Sequence, residues 1–162
     1  MTTGNPLLFA LPLVAALGCG LIAGVFFAFS SFVMRALGRL PPAEGMAAMQ
    51  SINVVVLNPV FLGVFMGTAV SCLAAVVLAL LRWREPGSAW LLAGGLLYLV
   101  GTFLVTIAFN VPRNDALAAV VPTAPEAARL WADYLVSWTA WNHVRTAAAL
   151  AALASFLFAL RS

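Results

Sequence analysis

The chain contains no lysine, a single histidine, and only 13 formally charged residues in 162 (eight Arg against five Asp and Glu). An ordinary soluble domain is about half apolar and roughly a quarter charged. Here 64% of residues are hydrophobic, 8% are charged and the mean hydropathy is +1.07. So few charges cannot clothe a soluble globule, which excludes a cytosolic domain and a disordered chain. The net charge of +3 is too thinly spread to grip phosphates, so nucleic acid is excluded as a partner. The two cysteines, Cys19 and Cys72, form no C-x-x-C pair, which argues against a disulfide-exchanging enzyme and for inert packing. One histidine and scattered acids make neither a zinc site nor a di-iron site, so no metal is expected. No glycine-rich phosphate loop is present, nor the buried acid chain of a proton-coupled transporter.

What is present is length without charge. Residues 5–34, 45–81, 86–112 and 146–160 carry no charged side chain. A bilayer core of about 30 Å needs about 20 apolar residues in helical form. The pattern predicts one all-α domain over residues 1–162, an integral-membrane four-helix bundle. Its spans fall near 7–34, 54–81, 89–110 and 140–160. Residues 1–5 hold no basic side chain and the following apolar run is about twice a signal core, so a removable signal peptide is not expected.

Small residues recur every fourth position, at Ala16, Gly20, Gly24 and Ala28 and again at Gly63, Gly67, Ser71 and Ala75. In lipid, close packing holds helices together, so both sets are expected to be helix–helix seams. Pro41 and Pro42 end the first span, and Pro42 can open a short interfacial helix over 42–53. Asn58-Pro59 predicts a bend one turn inside the second span. After two prolines at 122 and 125, residues 126–138 read as an interfacial helix running into the fourth span.

An even number of crossings puts both termini on one side and the two longer connections on the other. Most unusual polar residues belong to that second side: Gln50, Asn53, Asn58, Asn110, Asn114, Asn142, His143 and Arg145. Arg82, Arg84 and Arg161 adjoin span ends on the terminal side and favour cytoplasmic termini in a bacterial cytoplasmic membrane. Arg35, Arg39, Arg113 and Arg129 argue the other way.

The densest cluster runs from Trp138 to Arg145. At ~100° per residue Asn142 and Arg145 lie ~60° apart, on one face with Trp138 and Trp141, whereas His143 and Arg145 are nearly opposed. A pocket using both needs them on different walls. Trp138 and Trp141 as an aromatic belt, and Arg145 reaching to the headgroups, are the plain structural alternatives. The third span offers a polar stripe, Thr102, Thr106 and Asn110. Phe26 comes from the first span, and Phe61, Asn53 and Asn58 from around the second. Together these predict an aromatic-walled cavity with several amides, suited to a flat hydrophobic ligand with a few oxygens.

Residues 24–34, Leu40 to Pro42, 48–53, Asn58-Pro59 and Gly67-Thr68 resemble the first half of the anthrone oxygenase-like family. These are small four-span membrane proteins, many of them known only as a domain of unknown function. Residues 109–112, Asn114, Trp131, Tyr134 and 138–145 resemble its second half. The likeness covers roughly residues 20–150, and Arg35 and Arg113 depart from its pattern. The resemblance implies oxidation of a lipophilic anthrone-like or phenolic compound by dioxygen, without a cofactor. It makes His143 the candidate base. Asn142, Asn110 and Asn53 become oxyanion donors or orienters, and Arg145 an electrostatic stabiliser. Trp138 and Trp141 become stacking surfaces. Phe26, Phe61, Thr106, Asn58 and Asn114 complete the expected binding site. Two other readings stand beside it: a non-catalytic membrane protein holding a lipid, a quinone or a partner subunit, and a haem-binding subunit ligated through His143. Association into a homo-oligomer is left open.

Overall fold

A computed structural model describes residues 6–162, and the expectation drawn from residues 1–5 lies outside them. All the regular structure among the described residues is helical. Helix α1 runs as Pro6–Ala28, widens into a π turn over Phe29–Val33 and closes with Met34–Leu37. Pro41 and Pro42 stop it, and Pro42 opens α2, Pro42–Val55. Helix α3 is Pro59–Leu81. Helix α4 spans Ser88–Ala118 and is π-helical over Leu99–Leu104 and Thr106–Asn110. Helix α5 is Ala127–Arg161, in which the segment expected at the interface forms the first turns.

Four of these helices are long and apolar enough to cross a bilayer, which makes the chain an integral membrane protein. They close into a ring in which α1 packs between α3 and α5, and α4 packs between the same two. At ~1.5 Å per residue the 35-residue α5 is about 50 Å long, so its first turns overshoot a ~30 Å core and meet α2.

Two helix limits differ from the sequence expectation. Asn58 bends no span; it caps α3. Its Oδ1 accepts from the backbone N–H groups of Val60 and Phe61, both at 3.0 Å, and Pro59 occupies the first turn, where its missing N–H costs nothing. The third crossing continues beyond Asn110 to Ala118. Pro112 falls in the first α-turn after a π segment, a position that tolerates proline.

The core divides in two. Towards the termini, Ala15, Ala16, Cys19, Ala69, Cys72, Ala75 and Ala79 meet Tyr98 and Phe156. Backbones approach closely here: a Cβ on Gly95 would stand 2.8 Å from the Cys72 carbonyl oxygen. The expected small-residue seams are corrected in part: Ala16, Gly20 and Ala75 pack against neighbouring helices, but Gly24, Gly63 and Gly67 have open space where a Cβ would be. The inward face of α1 is set by Ala15, Cys19, Ile22 and Phe26, which turns Gly24 outward. Towards the loops, Met34, Met46, Met49, Leu117, Trp131, Tyr134 and Trp138 form a second, aromatic core. Gln50 fastens α2 above it by donating from Nε2 to the carbonyls of Leu117 (2.8 Å) and Val120 (2.9 Å). At the opposite end Gly87 turns the chain with φ +82°, beside Ala159 and Ser162.

Candidate functional site

Between the two cores lies a buried polar cluster built by α1, α4 and α5. Asn142 is its hub. Its Nδ2 donates to the Phe26 carbonyl and to Ser30 Oγ, both at 2.7 Å, and its Oδ1 accepts from Arg145 Nη2 at 2.7 Å. Arginine only donates and a carbonyl only accepts, so this network permits one orientation of the amide. The π turn of α1 begins at Phe29, one turn beyond Phe26. Widening of the backbone there leaves carbonyls of the preceding turn open to a side-chain donor.

Proton positions follow round the ring. Thr146 Oγ1 donates to the Asn142 carbonyl at 2.8 Å. Its single hydrogen is then used, so Ser30 Oγ donates to Thr146 Oγ1 (3.1 Å) while accepting from Asn142. On the α4 side Thr106 Oγ1 donates to the Thr102 carbonyl (2.7 Å) and accepts from Arg145 Nη1 (3.3 Å). Thr102 Oγ1 reaches the Arg145 carbonyl at 3.3 Å.

Arg145 is 3% exposed and lies between two aromatic faces. Its Cζ is 4.1 Å from the Phe26 ring centroid and 5.0 Å from that of Trp138. Cation–π contact with a desolvated guanidinium contributes about 1–2 kcal/mol. No carboxylate faces it: among the described residues the one ion pair is Arg82–Glu85 at 4.0 Å, on the far side of the bundle. A buried charge without a counter-ion costs several kcal/mol. Arg145 Nε is also buried without a hydrogen-bond partner, as are Asn110 Oδ1, Asn53 Nδ2 and Thr139 Oγ1. Unmet donors and acceptors are rare in a finished core, which makes this end of the bundle the candidate ligand site.

Above the guanidinium the aromatics are held rigidly. Trp131, Tyr134 and Trp138 stack along α5 with centroids 5.7 and 5.9 Å apart. Asn114 Oδ1 accepts from both Tyr134 Oη and Trp138 Nε1 at 2.8 Å. Asn110 Nδ2 donates to the Trp138 carbonyl at 3.2 Å. Asn53 arrives from α2 close to Tyr134.

Of the residues the sequence singles out, Asn142, Arg145, Asn110, Trp138, Phe26, Thr106, Asn114 and Asn53 are therefore brought to one end of the bundle. Four are not. His143 is exposed and has no partner in the cluster. It follows the outer stripe of α5 with Val136, Ala140, Ala147 and Leu150, because one residue beyond the inward Asn142 turns it ~100° away. The expectation of His143 as the site's base is corrected accordingly. Trp141 turns to the opposite flank and stacks on Phe109 at 3.6 Å and 7°, in the α4–α5 seam. Asn58 is the exposed cap of α3, and Phe61 stacks on Phe65 (6.0 Å) beside the lower core. Where the sequence predicts an aromatic-walled cavity, Phe26, Trp138, Asn142 and Arg145 are each buried in one close-packed cluster.

Ser30 joins the cluster without having stood out in the sequence. The available signal was a serine pair, Ser30-Ser31, inside an otherwise aromatic and apolar run. Among the described residues no three His, Cys, Asp or Glu side chains gather as metal ligands.

A family model described as anthrone oxygenase matches residues 61–155, more than half of the chain. The matched segment supplies Thr106, Asn110, Asn114, Trp138, Asn142 and Arg145. Phe26, Ser30 and Asn53 come from outside it. No curated protein and no solved structure matches the chain.

Proposed function

Because this chain belongs to the anthrone oxygenase family, we propose that its Asn142–Arg145 cluster oxidises a lipophilic, anthrone-like or phenolic compound with dioxygen and without a cofactor. One observation carries the reading: a guanidinium buried between Phe26 and Trp138 with no carboxylate to neutralise it.

An anthrone holds a CH₂ between two aryl rings, opposite a carbonyl. Loss of one proton makes the central ring aromatic and moves the negative charge to oxygen. Arg145 would face that oxygen, and Asn142 and Thr106 would hold the guanidinium in place. With His143 outside, the cluster contains neither imidazole nor carboxylate. The protein then acts on the acidity of the substrate: the positive charge stabilises the anion, and the proton leaves to solvent. The electron-rich anion gives one electron to O₂. The resulting radical and superoxide combine at the former CH₂ carbon, and protonation yields a hydroperoxide. Loss of water leaves the second carbonyl, so the balance is CH₂ plus O₂ to C=O plus H₂O. Phe26 and Trp138, which flank the guanidinium, would exclude water from the ion pair, which strengthens the charge interaction. The substrate would reach the cluster from the bilayer, in a bacterial cytoplasmic membrane with the termini on the cytoplasmic side.

The test is oxygen uptake and quinone formation by purified protein with an anthrone. Arg145→Met is expected to lower kcat/KM by about 10²–10³-fold, the range for loss of one oxyanion donor. His143→Ala is expected to stay within about twofold of wild type, since that side chain faces outward. Absence of uptake by the wild-type protein, or equal rates in the Arg145 variant, sinks the proposal. The non-catalytic binding reading requires the first of these results together with retained ligand binding. A visible haem band in the purified protein would support the third.

A further inference from the structure

The polarity of the cluster is one-sided. It offers a full positive charge and an unpaired donor at Arg145 Nε, against one unpaired amide acceptor at Asn110 Oδ1. The groups packed round Arg145 do not cancel that charge. Helix α1 presents Phe26, α4 presents Thr106, and α5 itself presents Trp138 and Asn142, all of them uncharged. Tyr134 is the titratable side chain that Arg145 feels electrostatically, while His143 faces out and the five acids lie elsewhere.

We infer that this site selects its ligands by acidity. It takes lipophilic weak acids (phenols, enols and their relatives) from the bilayer as neutral molecules and holds them as anions on Arg145. The inference rests on the reading of this cluster as the ligand site, and it deepens that reading by naming what the site recognises. A neutral ligand crosses lipid without the penalty of a charge, whereas the guanidinium already stands desolvated in the protein. Once the ligand loses its proton, the pair supplies the counter-ion that Arg145 lacks. The same selection disfavours a neutral quinone, which has the flat rings but no negative charge. Product is thus released for the reason that substrate is held.

Burial and charge pull in opposite directions here, so the sign of one measurement decides. An apolar site alone raises the pKa of a phenol, because desolvation penalises the anion. An adjacent positive charge lowers it by about 1–3 pH units. The probe is para-nitrophenol bearing an n-octyl chain, whose coloured phenolate reports its own ionisation. It is titrated with full-length wild-type protein in non-ionic micelles and in matched protein-free micelles. The expected result is a saturable, protein-bound phenol whose pKa lies about 1–3 pH units below that in empty micelles. Arg145→Lys should keep most of the fall and Arg145→Met should abolish it. The wild-type titration decides alone if the methionine variant does not fold. A bound phenol with an unchanged or raised pKa overturns the inference, and so does the absence of saturable binding. Oxygen uptake with an anthrone is measured separately. A lowered pKa without uptake leaves an anion-selective binding protein and removes the oxygenase. Uptake without a lowered pKa leaves the oxygenase and removes this inference.

Discussion

The two halves of the bundle hold together by different means. The half nearer the termini is a seam of alanine, cysteine and glycine in which backbones nearly touch, sealed by Tyr98 and Phe156. The half nearer the loops is broad, filled by tryptophan, tyrosine and methionine, and closed beneath by amides, hydroxyls and a guanidinium. All three π segments lie in or next to this broad half, whereas the terminal halves of α1 and α4 are regular α-helix. The contrast separates a tightly packed half from the half that holds the candidate site. Small residues let helices in lipid pack by dispersion alone. Large side chains and widened backbone turns hold the helices apart and leave polar groups to be satisfied one by one.

Four substitutions would sharpen or break that contrast. The largest effect is expected from Asn142→Leu, of the same branched shape but without the amide. It strips the acceptor from Arg145 Nη2 and the donor from the Phe26 carbonyl and Ser30. Each orphaned buried group costs about 1–3 kcal/mol, so a loss of about 3 kcal/mol or more is expected in reversible unfolding. If the variant unfolds like wild type, the broad half is held by packing after all and the distinction fails.

Next comes Gly95→Ala in the tight half, where the added methyl would meet Val76 and the Cys72 carbonyl. Overpacking of this kind costs about 1–3 kcal/mol. The matched change Gly67→Ala, into open space on the same kind of helix, should be neutral or raise stability by up to about 1 kcal/mol. Equal melting temperatures for the two variants would show that close approach is not what organises this half.

The smallest effect is expected at Asn58. Removing the α3 cap with Asn58→Ala should cost about 1 kcal/mol in stability and leave ligand binding unchanged. A binding defect beyond that expected from the stability loss would return Asn58 to the site.

The number of crossings and the side that holds most of the polar residues were legible in the sequence, because both depend on counts of charge and length. The opposed directions of His143 and Arg145 were legible too, since helix pitch fixes them. Which of the two faces inward was not. A membrane helix is apolar on its lipid side and on its core side alike, so periodicity does not mark the inside as it does in water. The glycine spacing misled for the same reason: Gly63 and Gly67 have seam spacing yet face outward, while the close contacts fall at Gly95 and Cys72. Asn58 misled because a polar residue before proline fits a broken span and a helix cap equally well.

By itself, then, the sequence determined a four-crossing helical membrane protein with most of its amides and its Trp138–Arg145 cluster gathered towards the loop side. Hydrophobic length and charge position are local properties, and no packing partner is needed to express them. Only the tertiary structure decided that Arg145 is the inward charge, that it lacks a carboxylate, that Ser30 and Asn142 tie α1 to α5, and that His143 stands outside. Those outcomes depend on which helix faces meet, and on π turns that shift the backbone register at the site itself.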